Sequence, residues 1–518
     1  MHPYPKKSLP LLAPVVGALL TFTTAFAQQP QDPNKLLVDL LVKKGILTAQ
    51  DVATLRQELA NTPPAPVASG AMEAPSSAAP GSVPPVETEK KSPLFFRIGG
   101  AQFTPFGFVD FTTVYRGTLN GGDIGSSFGS IPYSNTANGQ LSETRESLKN
   151  SRLGLRVDSD VMGAKVMGYL ETDFLGNAAT NVNVASNSDV LRMRVFFLDM
   201  RKGDWEFLAG QDWSMMTPNR KGISPLPSDL FFSQDVDTNY QVGLVWGRTP
   251  QARVMYHASD ELTFGLSLEN PDQYVGGAVV LPAGFTATQV DQGANGTATP
   301  NVFPDTIGKV AFDTKFGDLP FHVDAAGLVR YFKINTFTST VNADSDKTGY
   351  GGSINASLGV MPNLLLLVNG FDSKGGGRYL STGLGPDFIV NPPDASGAYT
   401  MSLVHSDAGI AGFEWDATPM SKIYGYYGMV KYGQKTDQLA NGTYVGYGYP
   451  GSPNSQNKQI EEYTAGLTQT LWKEAGYGDL KLMLQYSYVD RTPWYVAPGT
   501  PNKAHMNMGY VNLRYDLP

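Results

Sequence analysis

Cysteine is absent from the 518 residues, which excludes disulfide bonds and thiolate metal sites. Histidine is scarce as well, and the five residues lack the spacing of metal ligands: His2, His257, His322, His405 and His505. The sequence therefore predicts neither a metal site nor a redox centre, and it implies no cofactor.

Long apolar runs are missing after the first residues of the chain. Residues 1–27 have a basic start at Lys6 and Lys7, an apolar run and a small-x-small site at 25–27, which is the layout of a secretory signal peptide rather than a membrane anchor. Beyond residue 27 no stretch reaches the roughly 20 apolar residues of a spanning helix. A helical membrane protein is therefore excluded.

Charge is also low, at 17% of residues, with a formal net charge of −8. No block of basic residues is interleaved with aromatics in the way that tracks a phosphate backbone, so we expect no nucleic-acid partner. The chain is instead rich in glycine (56), tyrosine (25) and phenylalanine (26), a composition that indicates an all-β protein with many turns.

The secreted part begins with two segments that differ from the rest. Residues 28–60 have helical periodicity in two pieces separated at Gly45, and we interpret them as a short periplasmic helical segment and possible oligomerisation element. Residues 61–93 are rich in proline, alanine and serine and form a predicted linker. Residues 94–518 carry the main domain.

This main domain consists of segments of about ten residues that alternate with period two. In the segment 151–174, Arg152 and Arg156 oppose Leu153 and Leu155. A water-soluble sandwich would place the apolar face inward. However, short turns alternate with long connections (117–150, 270–305, 336–347 and 373–399), which is typical of a transmembrane β-barrel with apolar residues facing lipid and polar residues facing a wet lumen.

The predicted fold class is thus all-β, a transmembrane antiparallel β-barrel of roughly 16 strands with a short N-terminal periplasmic helical segment. Eighteen strands is the alternative. Barrels near these sizes leave an aqueous channel, so the predicted function is passive diffusion of small hydrophilic solutes across the outer membrane.

The charged face of the strands supplies the predicted pore lining. Its members are Arg116, Arg152, Arg156, Lys165, Glu171, Asp173, Arg192, Arg194, Arg253, Arg330, Lys481, Arg491 and Arg514. Arginine suits carboxylate and phosphate because its planar fork donates two hydrogen bonds while it stays charged, so an anion-conducting lining is one interpretation. The other is a neutral network in which these residues pair with Asp110, Asp158, Glu171, Asp173, Asp313 and Asp324.

A long segment after Trp213, the end of the fifth predicted strand, is the candidate constriction loop. It carries Arg220 and Lys221 on one limb and Asp229, Asp235 and Asp237 on the other. Opposed charges across a narrow pore would orient solutes in a strong transverse field. The alternative is an ordinary charged outer loop.

Three other functions fit the sequence less well. An enzyme is not predicted, because the one G-x-S-x-G match, 125–129, lies in a glycine-rich loop without the strand and helix of a nucleophile elbow. A structural or adhesive barrel with little conductance is a second alternative. A carbohydrate-selective porin would need stacked aromatics, and Trp213, Trp246 and Trp415 are scattered in the sequence.

Four segments, 151–174, 191–200, 205–218 and 248–257, resemble the trimeric outer-membrane porins of the DcaP-like type, within the wider superfamily that includes the phosphate-selective porins. Residues 462–494 also resemble the closing strands of such barrels. The resemblance implies 16 strands, a homotrimer in outer-membrane lipid, an N-terminal periplasmic helical segment, and uptake of small, often anionic solutes such as dicarboxylates. The chain departs from the pattern by ending "NLRYDLP" rather than with a terminal aromatic.

Overall fold

The computed structural model of the chain describes residues 92–176, 190–230, 234–276, 278–292, 298–380 and 385–518. The predicted signal peptide (1–27), the predicted helical segment (28–60) and all but the last two residues of the predicted linker (61–93) lie outside the described residues. Within the described part, no helix is long and apolar enough to cross a membrane.

A closed antiparallel barrel of 16 strands dominates the described residues. With strands numbered β1 to β22 in chain order, the barrel comprises β2 (Ala101–Arg116), β4 (Arg152–Val161), β5 (Ala164–Asp173), β6 (Arg192–Lys202), β7 (Trp205–Trp213), β8 (Arg248–His257), β9 (Leu262–Glu269), β10 (Asp305–Phe316), β11 (Leu319–Phe337), β12 (Asn342–Met361), β13 (Leu364–Lys374), β16 (His405–Thr418), β17 (Ser421–Tyr432), β20 (Asn457–Glu474), β21 (Gly478–Pro493) and β22 (Ala504–Asp516). Each strand pairs with the next, and β22 returns to β2 from Phe108↔Asp516 to Arg116↔Met508.

The remaining elements decorate the barrel. Two extra strands, β1 (Phe96–Ile98) and β3 (Glu143–Ser147), pair with the two ends of β2. Two hairpins lie in long connections, β14 (Phe388–Asn391) with β15 (Thr400–Leu403) and β18 (Lys435–Gln438) with β19 (Tyr444–Tyr447). The helices described are the single turn α1 (Ala137–Gln140) and the 3₁₀ turns Phe128–Ser130, Pro227–Asp229, Ala287–Gln289 and Gly377–Tyr379.

Connections of two lengths sort to the two ends of the barrel, as predicted. Two to four residues separate the strands at one end, for example 162–163 and 258–261, whereas the other end carries connections such as 214–247 and 270–304. The prediction of a long connection at 336–347 is wrong, because β11 and β12 continue as a tall hairpin with Phe337 paired to Asn342. These residues contain threonine and valine but no glycine or proline, a composition that favours strand over loop.

The two faces of the strands differ in the way that the alternation predicts. Along β2, Val109, Phe111 and Tyr115 are exposed outward, whereas Asp110 and Arg116 are fully buried on the inner face. The same contrast recurs around the barrel, where the exposed large side chains are predominantly apolar or aromatic. Such an inverted distribution confirms the barrel and contradicts the water-soluble sandwich.

Candidate functional site

The described residues of the connection between β7 and β8, 214–230 and 234–247, fold into the barrel; we call them the lumen segment. It follows the fifth strand of the barrel, where the sequence predicts a constriction loop. Its first limb is held by the far wall: the Asn219 backbone N–H donates to Asp324 Oδ2 at 3.2 Å, and Asn355 Nδ2 donates to the Asn219 carbonyl at 2.7 Å. The buried Lys309 Nζ adds a bond of 2.9 Å to the Thr217 carbonyl. The segment therefore crosses the lumen rather than extending outward.

Arg220, predicted at the constriction, pairs with the wall. Its two terminal nitrogens contact the two oxygens of Glu414 on β16, at 2.9 Å and 2.5 Å, and Tyr426 Oη donates to the same carboxylate at 2.7 Å. Lys221 beside it is exposed. Asp229, predicted on the other limb, lies beside Arg220 on the first limb, since its carbonyl oxygen accepts a hydrogen bond from the Arg220 backbone N–H at 2.7 Å. Arg220 thus fixes the position of the first limb.

The second limb carries two of the predicted aspartates and lies against β21 and β22. Gln485 Nε2 donates to Asp235 Oδ1 at 2.9 Å, and Tyr510 Oη donates to Asp237 Oδ2 at 2.7 Å. Burial, reinforced by the neighbouring Asp237, raises the pKa of Asp235 to about 7, and burial also raises the pKa of Asp237. The carboxyl of Asp235 consequently changes charge near neutral pH.

Glycine allows the second limb to touch the wall. Gly243, at φ +92°, packs on β16, where a Cβ would lie 2.5 Å from the Gly409 carbonyl oxygen. At Gly428 on β17 a Cβ would meet the Val242 carbonyl oxygen at 1.8 Å. Any larger residue at either position would push the segment back into the lumen.

Opposite the second limb, β4, β6, β8 and β22 present a group of five arginines that we call the arginine wall: Arg152, Arg192, Arg194, Arg248 and Arg514. At its centre Arg194 contacts Glu171 at 2.6 Å and Asp173 at 2.8 Å. Arg192 shares Asp173 at 2.7 Å. The fork of Arg194 also donates to Tyr240 Oη at 3.0 Å, which joins the wall to the lumen segment.

Around Phe108, the wall combines charged groups with an aromatic ring. Arg514 contacts Asp110 at 2.6 Å, and Arg152 lies 3.5 Å from Glu171. Both guanidinium groups lie over the ring of Phe108, at 4.1 Å and 5.2 Å from its centroid. The wall thus joins five guanidinium groups to three carboxylates: Asp110, Glu171 and Asp173. Within the wall, two positive charges are therefore left without a carboxylate.

Arg248 is the member of this wall that the sequence interpretation missed. Strict alternation places it on the opposite face of β8 from Arg253, yet at the first residue of the strand it turns inward and stacks 5.3 Å from the Trp213 ring. Its Nη1 and the Nε of Arg152 are buried without a hydrogen-bond partner among the described residues. Unsatisfied donors of this kind are suited to an anion.

A cavity of about 110 Å³ separates the arginine wall from the lumen segment. Arg152, Arg194 and Arg514 line it on one side, and Asp235 and Asp237 line it on the other. Tyr240 also borders it; burial acts to raise the pKa of this phenol, but Arg194, Arg152 and Arg248 outweigh burial and lower it to about 8. Opposed charges therefore face one another across the cavity.

Three predicted pore-lining arginines are enclosed by the long connections. Arg116 donates to Ser126 and Glu143, and Arg491 donates to the carbonyl oxygens of Ile131 and Asn454. Arg330, fully buried, contacts Asp305 at 3.0 Å and Asp387 at 2.7 Å. These side chains hold loops over the inner face of the barrel.

Arg330 belongs to what we call the packed side of the barrel interior, where the connections 270–304, 375–404 and 433–456 meet β10 to β17. A buried apolar cluster fills this side, including Phe332, Phe388, Ile389, Val390 and Tyr447. The Arg330 guanidinium also lies 4.8 Å from the Phe332 ring centroid. The cavity beside Arg152, Arg194 and Arg514 lies on the side of the arginine wall instead.

The other predicted lining residues lie on the inner face in local pairs. Arg253 contacts Asp212 at 2.5 Å, Arg156 contacts Asp158 at 2.9 Å, and Lys481 contacts Asp516 at 3.0 Å. Lys165, near the short-turn end of β5, is exposed. The neutral pairing weighed in the sequence analysis thus describes most of the lining, and the arginine wall departs from it.

The G-x-S-x-G match at 125–129 lacks the setting of a nucleophile elbow. Its central serine, Ser127, is exposed in the connection after β2 and is followed by the 3₁₀ turn Phe128–Ser130 rather than by a helix.

Comparisons with known proteins identify the fold. No family model and no curated protein matches the chain. The solved outer-membrane channel DcaP of Acinetobacter baumannii is similar in structure, with a TM-score of 0.57 and 18% identity over 81% of this chain and 98% of that one. An anion-selective porin from Comamonas acidovorans (TM-score 0.45, 12% identity, 80% and 100% coverage) and OprB of Pseudomonas putida (0.45, 10%, 80% and 94%) resemble it less. The resemblance to DcaP-like barrels inferred from the sequence is thus confirmed at the level of the fold.

Proposed function

We propose that this protein is an outer-membrane porin that conducts small hydrophilic solutes by passive diffusion and favours anions such as dicarboxylates or phosphate. The observation that carries this proposal is the arginine wall, in which five guanidinium groups share three wall carboxylates beside a polar cavity. A porin performs no bond chemistry, so its selectivity depends on pore width and on the charges at the narrowest point.

The same geometry explains how a solute would be guided. An anion between the arginine wall and the lumen segment gains attraction from Arg152, which lines the cavity, and from Arg248, which stacks on the cavity-lining Trp213. Asp235 and Asp237 on the other side orient a dipolar solute with its negative end toward the wall. The low-dielectric barrel around the cavity strengthens both effects.

Assembly as a homotrimer in outer-membrane lipid is part of the proposal. The exposed apolar outer face supports contact with lipid, since Leu266, Val368 and Ile354 are 53%, 52% and 61% exposed. The similarity of this chain's fold to that of the DcaP channel supports its assignment as a porin.

A carbohydrate-selective porin is the second candidate, and one observation favours it. Trp213 and Trp246, two of the three tryptophans that are scattered in the sequence, meet Tyr240 in the lumen with ring centroids 5.3–5.7 Å apart. Trp415 faces outward on β16 and is not part of this cluster. Sugars would stack on such rings, although arginines already stack on Trp213.

Single-channel recording in a planar bilayer under a KCl gradient tests the proposal. Conductance steps that close in groups of three, with a reversal potential on the chloride side, are expected. A potassium preference would contradict the anion assignment, and the absence of steps would favour a structural or adhesive barrel. Block of the current by a neutral maltooligosaccharide, but not by succinate or phosphate, would favour the carbohydrate candidate instead.

A further inference from the structure

On the outward face, two aspartates and a histidine converge at the ends of two neighbouring strands. Asp372 lies on β13, and His405 and Asp407 lie on β16. His405 Nε2 is 2.6 Å from Asp372 Oδ2 and 3.4 Å from Asp407 Oδ1, and one ligand atom of each residue lies within 4.8 Å of the other two. Among the described residues, this is the one group of three or more such side chains with that spacing.

The sheet holds these three side chains in place. Asp372 pairs directly with Asp407 across the two strands, and His405 shares the face of Asp407 because it lies two residues earlier. Two carboxylates directly opposite one another in a sheet destabilise it unless a positive charge lies between them. The backbone register therefore creates a position that a cation would stabilise.

The position is open to water and to ions. Asp372 continues the outward face of Leu366 and Val368, and Asp407 continues that of Phe413, but both lie beyond these apolar side chains, toward the long connections. The side chains of Asp372, His405 and Asp407 are 70%, 41% and 41% exposed. The lumen and its permeating solutes lie on the opposite face of the sheet.

We propose that Asp372, His405 and Asp407 form a binding site for a divalent first-row transition metal ion such as Zn²⁺ on the outer surface of the barrel. One imidazole nitrogen and two carboxylate oxygens are a ligand set of this class, and a fourth position remains for water. Bonds of about 2.0–2.2 Å in tetrahedral geometry put donor atoms about 3.4 Å apart. The contact between His405 and Asp407 already has this separation, and that between His405 and Asp372 needs to open by less than about 1 Å.

The bound ion would join β13 to β16 and neutralise the opposed carboxylates, so it would stabilise this part of the wall independently of conduction. The other charged groups facing the cluster are Lys374, opposite His405, and Lys431, opposite Asp407 on β17. A purely ionic alternative is a protonated His405 that bridges both aspartates. The two arrangements respond oppositely to acid, because a metal ion needs the unprotonated imidazole.

Calorimetric titration of the full-length, chelator-treated protein in detergent with ZnCl₂ tests this site. We expect one equivalent to bind at pH 7.5, and the affinity to fall at least about tenfold in His405→Asn and in Asp407→Asn. The matched control is His257→Asn, which removes a histidine paired with the single carboxylate Glu206 at 2.7 Å and should leave zinc binding unchanged. Heat-modifiable electrophoretic mobility reports whether each variant keeps its barrel.

Two further readings separate a metal site from the ionic bridge. Affinity should decrease as the pH is lowered below about 6.5, the range in which a histidine gains its proton. Zinc should also raise the unfolding temperature of the wild-type protein but not that of folded His405→Asn. No saturable binding, equal binding in His405→Asn, unchanged affinity at pH 5, or displacement of zinc by an equal concentration of Mg²⁺ would each overturn the proposal.

Discussion

The two halves of the barrel interior use arginine for opposite purposes. On the packed side, Arg330 is fully buried between Asp305 and Asp387, and the long connections close over it. On the arginine wall, Arg152 lines a cavity, and Arg152 and Arg248 each keep one buried donor without a hydrogen-bond partner among the described residues. The same residue type, on the same inner face, is therefore fully paired in one half and incompletely paired beside a cavity in the other.

The difference depends on how many carboxylates surround each guanidinium. Arg330 has two, so its charge is fully compensated where water is excluded. Arg248 has no carboxylate within ion-pair distance among the described residues and rests on the Trp213 ring instead. A position on the inner face alone thus does not distinguish a structural arginine from a candidate solute-binding arginine. The number of carboxylates around each guanidinium group does distinguish them.

Replacing Arg330 should give the largest effect on stability. Arg330→Gln removes the ion-pair partner of the buried Asp387 and leaves Asp305 with Arg378 alone, at 3.4 Å; breaking a buried pair in this way typically costs about 3–5 kcal/mol. We expect a correspondingly lower urea midpoint for unfolding in lipid vesicles, with the ion preference of the surviving channels unchanged. Lys333→Gln on the same strand breaks the exposed pair with Asp344 and should leave the midpoint unchanged. A changed ion preference in Arg330→Gln would contradict the assignment of Arg330 to a purely structural role.

On the arginine wall, the double change Arg152→Gln/Arg248→Gln should alter selectivity instead. A unit charge about 15 Å away contributes about 1 kcal/mol at an effective dielectric constant of about 20, and salt reduces this. We therefore expect the chloride-to-potassium permeability ratio, measured from reversal potentials, to fall by about threefold or more. The control Arg97→Gln/Arg201→Gln removes two exposed charges, and an equal fall in that variant would contradict a local effect.

The smallest expected effect is a change of selectivity with pH. The carboxyl of Asp235 has a pKa raised to about 7, so it is charged at pH 8 and largely neutral at pH 6. Acidification removes a negative charge facing the arginine wall, and the chloride preference should rise, by about twofold from the same Coulomb argument. Reversal potentials at pH 8, 7 and 6 measure this change.

Two variants of the lumen segment identify the titrating group. Asp235→Asn should show the high chloride preference at pH 7 and lose most of the pH dependence between pH 7 and 6, because its side chain is permanently neutral and Tyr240, whose pKa is lowered to about 8, is largely protonated in that range. Asp229→Asn, on the first limb, should keep the wild-type dependence. If both variants respond to pH as the wild-type protein does, Asp235 is not the group responsible.

The sequence predicts the architecture well because period two determines which face of a strand meets lipid. Alternation placed Arg152, Glu171, Asp173 and Arg194 on one face, and the structure confirms that they lie together. The long segment after Trp213 enters the lumen as predicted. Such features depend on neighbouring residues and on the length of a connection, which a single sequence displays.

Alternation along a strand does not predict which residues of distant strands pair. Arg220 and Glu414 are 194 residues apart, and nothing local indicates that they meet. Arg248 was missed because a strand end departs from alternation. The grouping of Asp372 with His405 depends on the register between β13 and β16, which the spacing of histidines along the chain does not reveal.

The course of the lumen segment also constrains the order in which the molecule assembles. Asp237 meets Tyr510 across 273 positions of the chain, and Asn512 meets Asp110 across 402. Contacts of such separation form late, because the entropy of closing the intervening chain must be overcome first. The second limb can therefore settle only when β22 arrives beside β2. Closure of the barrel between β22 and β2 then also fixes the position of the second limb inside it.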